Sequence, residues 1–275
     1  MIVGVDVGGS TTKAVLFREG DVAGSAMSRS VGDPVTAVSG VLGKLLSDSA
    51  IDLADIEYLA VSGGRSWQLP ASLLNLEVKK IDEIQSIGVG GLKLAGADEG
   101  LVVSMGTGTA IVWARERGRK VTHVGGTGVG GGTIVGLGQR LLEISDAPTL
   151  NDMAKRGDAR RVDLTVGDIV GGAIGTLDAN MTASNFGKLS VDRSPEDIAA
   201  GILNMVSEVV GELAHLSASG VGTDQIILVG SLTRLDFVLG RVQATLRTFG
   251  REATIPRLPE FNVAVGAATK ASWET

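Results

Sequence analysis

Two short segments of the chain place glycines and hydroxyl side chains between β-rich runs. The first is DVGGSTTK at 6–13, which joins strands predicted at 2–7 and 12–18. Glycines allow the backbone to come close to an anion, and the amides and hydroxyls of such a turn can donate hydrogen bonds to phosphate oxygens. Asp6 can hold Mg²⁺ directly or through water, and Lys13 can offset phosphate charge. The segment also fits an ordinary hairpin turn, so by itself it leaves both interpretations open.

A second segment of the same kind is SMGTGT at 104–109. The stretch LVVSMGTGTAIVWAR at 101–115 repeats the strand, glycine-rich turn and strand of residues 2–18, with Ser104 opposite Asp6. A duplicated unit of this kind is typical of two homologous lobes. Two such turns that face each other can hold a polyphosphate from both sides. A phosphate site therefore explains the pair better than two unrelated hairpins do.

A third glycine-rich stretch is GGTGVGGGT at 125–133. It contains the pattern GxGxxG, but no N-terminal βαβ unit surrounds it, and GxxxxGK[ST] occurs nowhere in the chain. Neither a Rossmann-type dinucleotide site nor a P-loop is therefore predicted. We interpret the stretch as a flexible loop that opens a helix at 133–143, whose N-terminus favours an anion. A purely structural loop is the alternative.

Strands and helices alternate along the rest of the chain. Residues 34–47 carry apolar side chains at helical spacing, and PED at 195–197 is a typical helix start because proline and acids favour the first turn. The other predicted elements are a strand near 21–28, a strand at 57–62, a helix beginning near Glu83, a long helix at 195–219, a strand at 225–229, and helices near 233–247 and 262–272. These elements predict a mixed α/β chain of two lobes with a boundary near 96–100.

The composition excludes several classes of function. The chain has no cysteine and only two histidines, so disulfides, thiolate zinc sites, iron–sulfur clusters and histidine-rich metal sites are not expected. Acidic residues outnumber basic ones by 31 to 25 and aromatics make up only 3% of the chain, which argues against a nucleic-acid partner. The opening MIVGVDVGGS does not resemble a signal peptide, and no apolar run reaches the roughly 18–20 residues that span a bilayer. We therefore expect a cytoplasmic protein without a membrane partner.

The chain resembles the sugar kinase/actin/Hsp70 superfamily and, within it, the type II pantothenate kinases. The stretches that carry this resemblance span nearly the whole chain and include GVDVGGSTTKAV, DEIQSIGVGG, SMGTGTAIV, VGGTGVGGGTIVGLGQRLL, DMAKRGDARRVDLTVGDI, TASNFGKL and FNVAVGAA. The resemblance implies an α/β fold of two actin-like (ribonuclease H-like) lobes, 1–98 and 99–275, with a nucleotide cleft between them. It also implies ATP and Mg²⁺ as cofactors, and a homodimer formed partly through the helix at 195–219.

The resemblance completes the expected nucleotide site. Gly230 and Ser231, which follow the strand IILV, look like the family's adenosine-contacting turn, where backbone contacts matter more than side chains. Asp6 is expected to position Mg²⁺. The residues expected to contact ATP are Asp6, Gly8, Gly9, Ser10, Thr11, Lys13, Gly106, Thr107, Gly108, Gly130, Gly131, Gly230 and Ser231.

The resemblance also implies a catalytic base. In this family a glutamate at the start of the helix after the first lobe's last strand has that role, and Glu83 matches it, with Gly90 at the family's following glycine. An oriented carboxylate can accept the proton of a hydroxyl that attacks phosphorus. Asp82 is a one-position alternative. The structural alternative for Glu83 is a helix N-terminal acid stabilised by the helix dipole.

The expected acceptor site consists of Thr107, His123, Gly125 and Gly126. In the family an arginine usually stands just before VGG and pairs with the carboxylate of pantothenate, whereas this chain has His123 there, with Lys120 nearby. Histidine lacks the bidentate fork of a guanidinium. A half-buried strand residue that makes one hydrogen bond is the structural alternative for His123. The chain also has Val263 where family members commonly carry glycine.

These expectations point to a kinase that phosphorylates pantothenate to 4′-phosphopantothenate, the first step of coenzyme A biosynthesis. One alternative is a kinase of the same fold for another acceptor, such as pantetheine, which lacks the carboxylate that the family arginine binds. Another is a catalytically weak, nucleotide-binding regulator. Sugar kinases with a Cys/His zinc motif and dehydratase activators with cluster cysteines are excluded because the chain has no cysteine.

Overall fold

Two β-sheets, each built on an antiparallel meander of three strands, form the centre of the molecule. The computed structural model describes residues 1–30, 32–175, 178–189 and 192–273. Its main sheets have six and five strands, with helices packed around them. This arrangement confirms the predicted α/β fold of two lobes. The boundary predicted between residues 98 and 99 stays a prediction.

The first half of the chain forms β1 (Ile2–Val7), β2 (Thr11–Arg18), β3 (Asp21–Arg29), α1 (Pro34–Ser49), β4 (Tyr58–Ser62), β5 (Ser72–Leu73), β6 (Leu76–Lys80) and α2 (Glu83–Ala95). The strand order of the first sheet is β3-β2-β1-β4-β6-β5, and β4 pairs with β1 in parallel. One face of the sheet packs against α1, whose first turn is fixed by the Asp33 side chain accepting from the Thr36 amide at 3.1 Å.

The second half forms β7 (Gly100–Met105), β8 (Thr109–Arg115), β9 (Lys120–Thr127), α3 (Gly131–Leu142), α4 (Ala147–Ala154), β10 (Leu164–Thr165), α5 (Val166–Val170), β11 (Thr182–Ser184), α6 (Pro195–Val221), β12 (Ile226–Val229), α7 (Asp236–Thr248), β13 (Ala253–Thr254) and α8 (Asn262–Ala271). The second sheet has the order β13-β12-β7-β8-β9. Helix α6 begins where predicted, at Pro195, with a capping box between Ser194 and Asp197.

The two sheets share one topology. Strands β3-β2-β1-β4-β6 of the first sheet correspond in order and direction to β9-β8-β7-β12-β13 of the second. Asp6 and Ser104 occupy equivalent positions near the ends of β1 and β7, as the sequence repeat predicts. The duplicated strand–turn–strand unit is therefore confirmed, and both glycine-rich turns lie at the same kind of sheet edge.

The last helix of the chain returns to the first half. Helix α8 is almost completely buried and packs between α2 and the first sheet. A Cβ atom on Gly90 would collide with the backbone oxygen of Asn262, and one on Gly266 with that of Ser86. Glycines at these two positions allow the backbones of α2 and α8 to approach closely, which holds the N-terminus of α2 against the sheet.

The structure corrects one element predicted from the sequence. Residues 125–127 belong to strand β9, and α3 begins at Gly131 rather than at residue 133, so the stretch 125–133 is not a flexible loop. Cβ atoms on Gly126 and Gly130 would lie 2.5 Å from Thr109 O and 2.7 Å from Thr107 O. Its glycines are therefore explained largely by close packing on the second hairpin. Among the described residues, no helix combines the length and apolar character needed to cross a membrane.

Candidate active site

A cleft of about 1330 Å³ lies where the two glycine-rich turns face each other. A Cβ atom built on Gly9 would lie 3.8 Å from Thr107 Oγ1, so the tips of the two turns are close together. The cleft brings together most of the residues expected from the sequence: Asp6, Gly8, Gly9, Ser10, Thr11, Lys13, Glu83, Gly106, Thr107, Gly108, Gly131, Gly230 and Ser231.

Both turns keep backbone amides unengaged at their tips. Gly8 N donates to Thr11 O at 3.2 Å, and Gly106 N donates to Gly108 O at 2.8 Å, which closes each turn. The amides of the next two residues in each turn, 9–10 and 107–108, make no hydrogen bond within the described parts of the chain. Unengaged amides on two facing turns can donate to the oxygens of a polyphosphate.

Asp6 and Lys13 form a buried ion pair at the base of the first turn. Lys13 Nζ donates to Asp6 Oδ2 at 3.1 Å, and the side chains are only 7% and 9% exposed. The other oxygen, Oδ1, accepts no hydrogen bond from any described residue. A Cβ atom on Gly63 would lie 2.6 Å from Asp6 Oδ1, and the φ angle of Gly63 is +94°. Glycine at this position therefore leaves room beside a free, hard oxygen ligand of the kind that Mg²⁺ prefers.

Glu83 is the first residue of α2 and lines the cleft. Its neighbour Asp82 caps the helix, because the Asp82 side chain accepts from the Gln85 amide at 2.9 Å. Desolvation within the cleft raises the pKa of the Glu83 carboxyl, the negative charges of Asp6 and Asp82 raise it further, and Lys13 opposes them. A carboxylate with a raised pKa is a better proton acceptor than an ordinary glutamate.

The start of α3 packs directly against the second turn. Gly131 N donates to Gly106 O at 2.9 Å and Gly132 N donates to Thr107 O at 2.8 Å. Gly130 N donates to Thr133 Oγ1 at 3.2 Å. Because these amides already have acceptors, the N-terminus of α3 positions the turn rather than offering free donors to an anion. Gly131 lines the cleft, whereas Gly130 is not part of its lining, so an ATP contact at Gly130 stays a prediction.

Gly230 and Gly63 occupy equivalent turns in the two halves. Each follows the parallel neighbour of the central strand, and their φ angles are +96° and +94°. A Cβ atom on Gly230 would lie 2.5 Å from Met105 O, just as one on Gly63 would lie 2.8 Å from Val7 O. Left-handed backbone at both positions brings the following residues to the cleft, Gly64 in one half and Ser231 in the other.

The remaining residues of the expected acceptor site lie outside the cleft lining. Gly125 and Gly126 pair with β8, and His123 is exposed on β9 opposite Val112. The side chain of His123 makes no hydrogen bond or ion pair within the described residues. Lys120 pairs with Glu116 on the surface. Of that expected site, only Thr107 lines the cleft, so an acceptor role for the other three stays a prediction.

Several polar residues of the cleft were missed from the sequence. They are Arg29, Arg65, Asp146, Asn151, Lys155, Arg234 and Asn262. Asn262 is only 1% exposed, and its side-chain amide has no hydrogen-bond partner among the described residues, although such a partner is normally required in a buried site. Arg65 follows Gly63-Gly64, the one sequence signal that could have revealed it. Lys155 and Asn262 lie in stretches that carry the family resemblance, but nothing in those stretches indicates a place in the cleft. The others come from segments without a recognisable motif.

Solved structures with the same fold share its two-lobed shape. The activator of the 2-hydroxyisocaproyl-CoA dehydratase from Clostridium difficile, with bound ADPNP, has a TM-score of 0.70 at 21% identity and covers 99% of this chain and 94% of its own. A ROK family glucokinase from Streptomyces griseus, in complex with glucose and AMPPNP, has a TM-score of 0.64 at 14% identity and covers 99% of both chains. At these identities the likeness establishes the fold alone.

Sequence comparisons identify a narrower group. The type II pantothenate kinase of Oceanobacillus iheyensis is 35% identical over 191 residues, which cover 66% of this chain and 70% of the relative. That of Bacillus cereus strain G9842 is 29% identical over 246 residues, which cover 83% of each chain. The family model described as Fumble matches residues 100–267.

Fold and cleft together define a protein with the two-lobed fold of the actin and hexokinase class. Within that class, the chain belongs to the Fumble family, the family of the type II pantothenate kinases.

Proposed function

We propose that the protein phosphorylates the primary hydroxyl of pantothenate with ATP to give 4′-phosphopantothenate, the first step of coenzyme A biosynthesis. The observation that carries this proposal is the position of Glu83 in one cleft with both glycine-rich turns. Relatives over most of the chain are type II pantothenate kinases, which supports the choice of acceptor.

The two turns are proposed to hold the phosphates of ATP through their unengaged amides, with Gly230 and Ser231 beside the adenosine. Asp6 Oδ1 would hold Mg²⁺, directly or through water. When bound, Mg²⁺ supplies charge neutralisation of the phosphates. Lys13 remains paired with Asp6 and keeps that carboxylate oriented.

Glu83 is proposed to act as the general base. The acceptor hydroxyl gives its proton to the Glu83 carboxylate while its oxygen forms a bond to the γ-phosphorus of ATP. The bond from that phosphorus to the bridging oxygen breaks, and ADP leaves with the electron pair. Asp82 cannot easily share this task, because its side chain is engaged in capping α2.

A cytoplasmic homodimer is the proposed state of the protein. Exposed apolar side chains on α5 and α6 support an interface: Ile169 is 61% exposed and Leu216 is 59% exposed. Light scattering of the purified protein tests this point, and a monomer at all concentrations would contradict it.

An ATP-consumption assay with pantothenate, pantetheine and simple sugars tests the proposed reaction, with mass spectrometry of the products. We expect turnover with pantothenate and a product heavier by one phosphoryl group. Turnover with pantetheine alone would show a related kinase with another acceptor. Nucleotide binding without turnover of any acceptor would indicate a regulatory protein instead.

A further inference from the structure

The ionisable side chains of the cleft are almost all balanced in pairs. Besides Lys13 with Asp6, the pairs are Arg29 with Asp146, Lys155 with Asp152 and Asp236, and Arg234 with Glu260. Among the described residues that line the cleft, two have no ion-pair partner: one acid, Glu83, and one base, Arg65. Glu83 and Arg65 do not neutralise each other although both line the cleft. The presence of each charge therefore needs an explanation of its own.

Arg65 is held close to Glu83 by the turn that precedes it. A Cβ atom on Gly64 would lie 3.8 Å from Glu83 Oε2, so the main chain just before Arg65 runs beside that carboxylate. The Arg65 amide donates to Val7 O at 3.2 Å, which fixes the backbone to the end of β1. No ion pair joins Arg65 and Glu83, so each side chain keeps its charge available to a ligand in the cleft.

The guanidinium of Arg65 is anchored but mostly unengaged. Its Nη2 donates to Gly32 O at 3.0 Å, and this is its one hydrogen bond within the described residues. A guanidinium carries five N–H donors in a planar fork that matches a carboxylate. Because Arg65 is half-buried and has no carboxylate of its own, an anion brought by a ligand is the partner that its chemistry favours.

We propose that Arg65 binds the carboxylate of the acceptor and makes the site selective for hydroxy acids. This inference rests on the proposed function: the hydroxyl of the acceptor lies against Glu83 and its carboxylate against Arg65. Lys13 is already paired with Asp6 at the base of the first turn, on the nucleotide side of the cleft. His123 lies outside the cleft lining and is not needed for this contact.

The test is acceptor selectivity in wild type, Arg65→Gln and Arg65→Lys. The readout is the ratio of KM for pantothenate to KM for pantetheine, which lacks the carboxylate. We expect Arg65→Gln to raise this ratio roughly 10- to 100-fold, because a charge-assisted hydrogen-bonded contact is lost. Arg65→Lys keeps the positive charge and should therefore raise the ratio less. If pantetheine is not a substrate, KM for ATP serves as the reference. Arg29→Gln is the matched control: it removes the same charge from the cleft, but from a side chain already paired with Asp146, and should leave the ratio unchanged.

Three results would overturn this inference alone. An equal rise in KM for both acceptors would show a structural role, and a rise confined to ATP would show that Arg65 contacts phosphate. A wild-type ratio in both Arg65 variants would exclude the carboxylate contact while leaving the proposed reaction intact. Absence of pantothenate turnover in the wild type, in contrast, would overturn the proposed function and this inference with it. Thermal unfolding of each variant verifies that the fold is retained.

Discussion

The two halves of the molecule have turns of the same backbone conformation beside the ends of their central strands, β1 and β7, but the side chains at those strand ends differ in charge. Gly63 and Gly230 have nearly equal φ angles, +94° and +96°, and both turn the chain toward the cleft. In the first half this edge carries the buried pair of Asp6 and Lys13. In the second half Ser104 and Ala110 form the equivalent pair of the strand register, and neither carries a charge. The duplicated backbone leaves unengaged amides at the turn tips of both halves, whereas a buried charged pair at the base of the turn is present in the first half alone.

Removal of the first half's unpaired acid should have the largest effect. Glu83→Gln is expected to lower kcat by roughly 10²–10⁴, because a glutamine cannot accept the proton of the hydroxyl. Binding of an ATP analogue, measured by calorimetry, should stay close to the wild-type value. Asp82→Asn is the control, since asparagine caps a helix as well as aspartate does. An inactive Asp82→Asn beside an active Glu83→Gln would move the base to Asp82.

Breaking the charged pair of the first half should destabilise the fold. Asp6→Asn leaves the Lys13 ammonium buried without a counterion, which typically costs about 3–5 kcal/mol of unfolding free energy. Adding Lys13→Met should recover most of that loss, since the unpaired charge is gone. At the equivalent position of the second half, Ser104→Ala should cost at most about 1 kcal/mol. Urea unfolding measures all three, and equal losses for Asp6→Asn and Ser104→Ala would refute the asymmetry.

The repeat was readable from the sequence because its residues are consecutive. DVGGST and SMGTGT share one glycine and one threonine at matching positions and are both rich in glycine and hydroxyls. A hairpin is a local structure, so both turns and their shared edge were predicted. The helix start at Pro195 was also local and was predicted correctly. Glu83 depended on the resemblance, and the structure adds the cap by Asp82 that separates the two acids.

The parts that were missed depend on distant packing. The turns at Gly63 and Gly230 share no letters beyond one glycine, and their equivalence appears only when β4 and β12 pair in parallel with the central strands. Strand β9 has no clean alternation, because two adjacent positions are glycine and one of them, Gly126, packs on the backbone of Thr109. Asn262 reaches the cleft because α8 packs against α2. No local sequence pattern predicts this contact.

The charges around Glu83 should appear in the pH dependence of kcat/KM. A base must be ionised to act, so activity falls tenfold per pH unit below its pKa. Because the pKa of Glu83 is raised, that fall should begin at a higher pH than for an ordinary glutamate. Asp82→Asn removes one negative charge that raises the pKa of Glu83, so the acidic limb should move to lower pH. An unmoved limb would show that another group controls it.

The tips of the two turns offer a smaller, more local contrast. The sequence repeat sets Gly9 opposite Thr107, and the structure brings the two within contact distance. Gly9→Ala should insert a methyl group between the tips and raise the Kd of an ATP analogue about tenfold, a loss of about 1.4 kcal/mol. Gly40→Ala is the control, since this exposed helical glycine has no close neighbour and alanine there should stabilise by about 0.5–1 kcal/mol. An unchanged Kd for Gly9→Ala would place the phosphates elsewhere.

The smallest effect is expected at His123, the residue that the resemblance places against the acceptor. If Arg65 holds the carboxylate, an arginine on the exposed surface of β9 adds only a solvent-screened charge, so His123→Arg should change KM for pantothenate less than about threefold. A double variant with Arg65→Gln sharpens the test, because a new arginine that truly reaches the carboxylate would rescue the loss. Rescue, or a fall in KM in the single variant, would extend the acceptor site over β9. Absence of both would leave the acceptor selectivity of the cleft with Arg65, in the first half of the molecule.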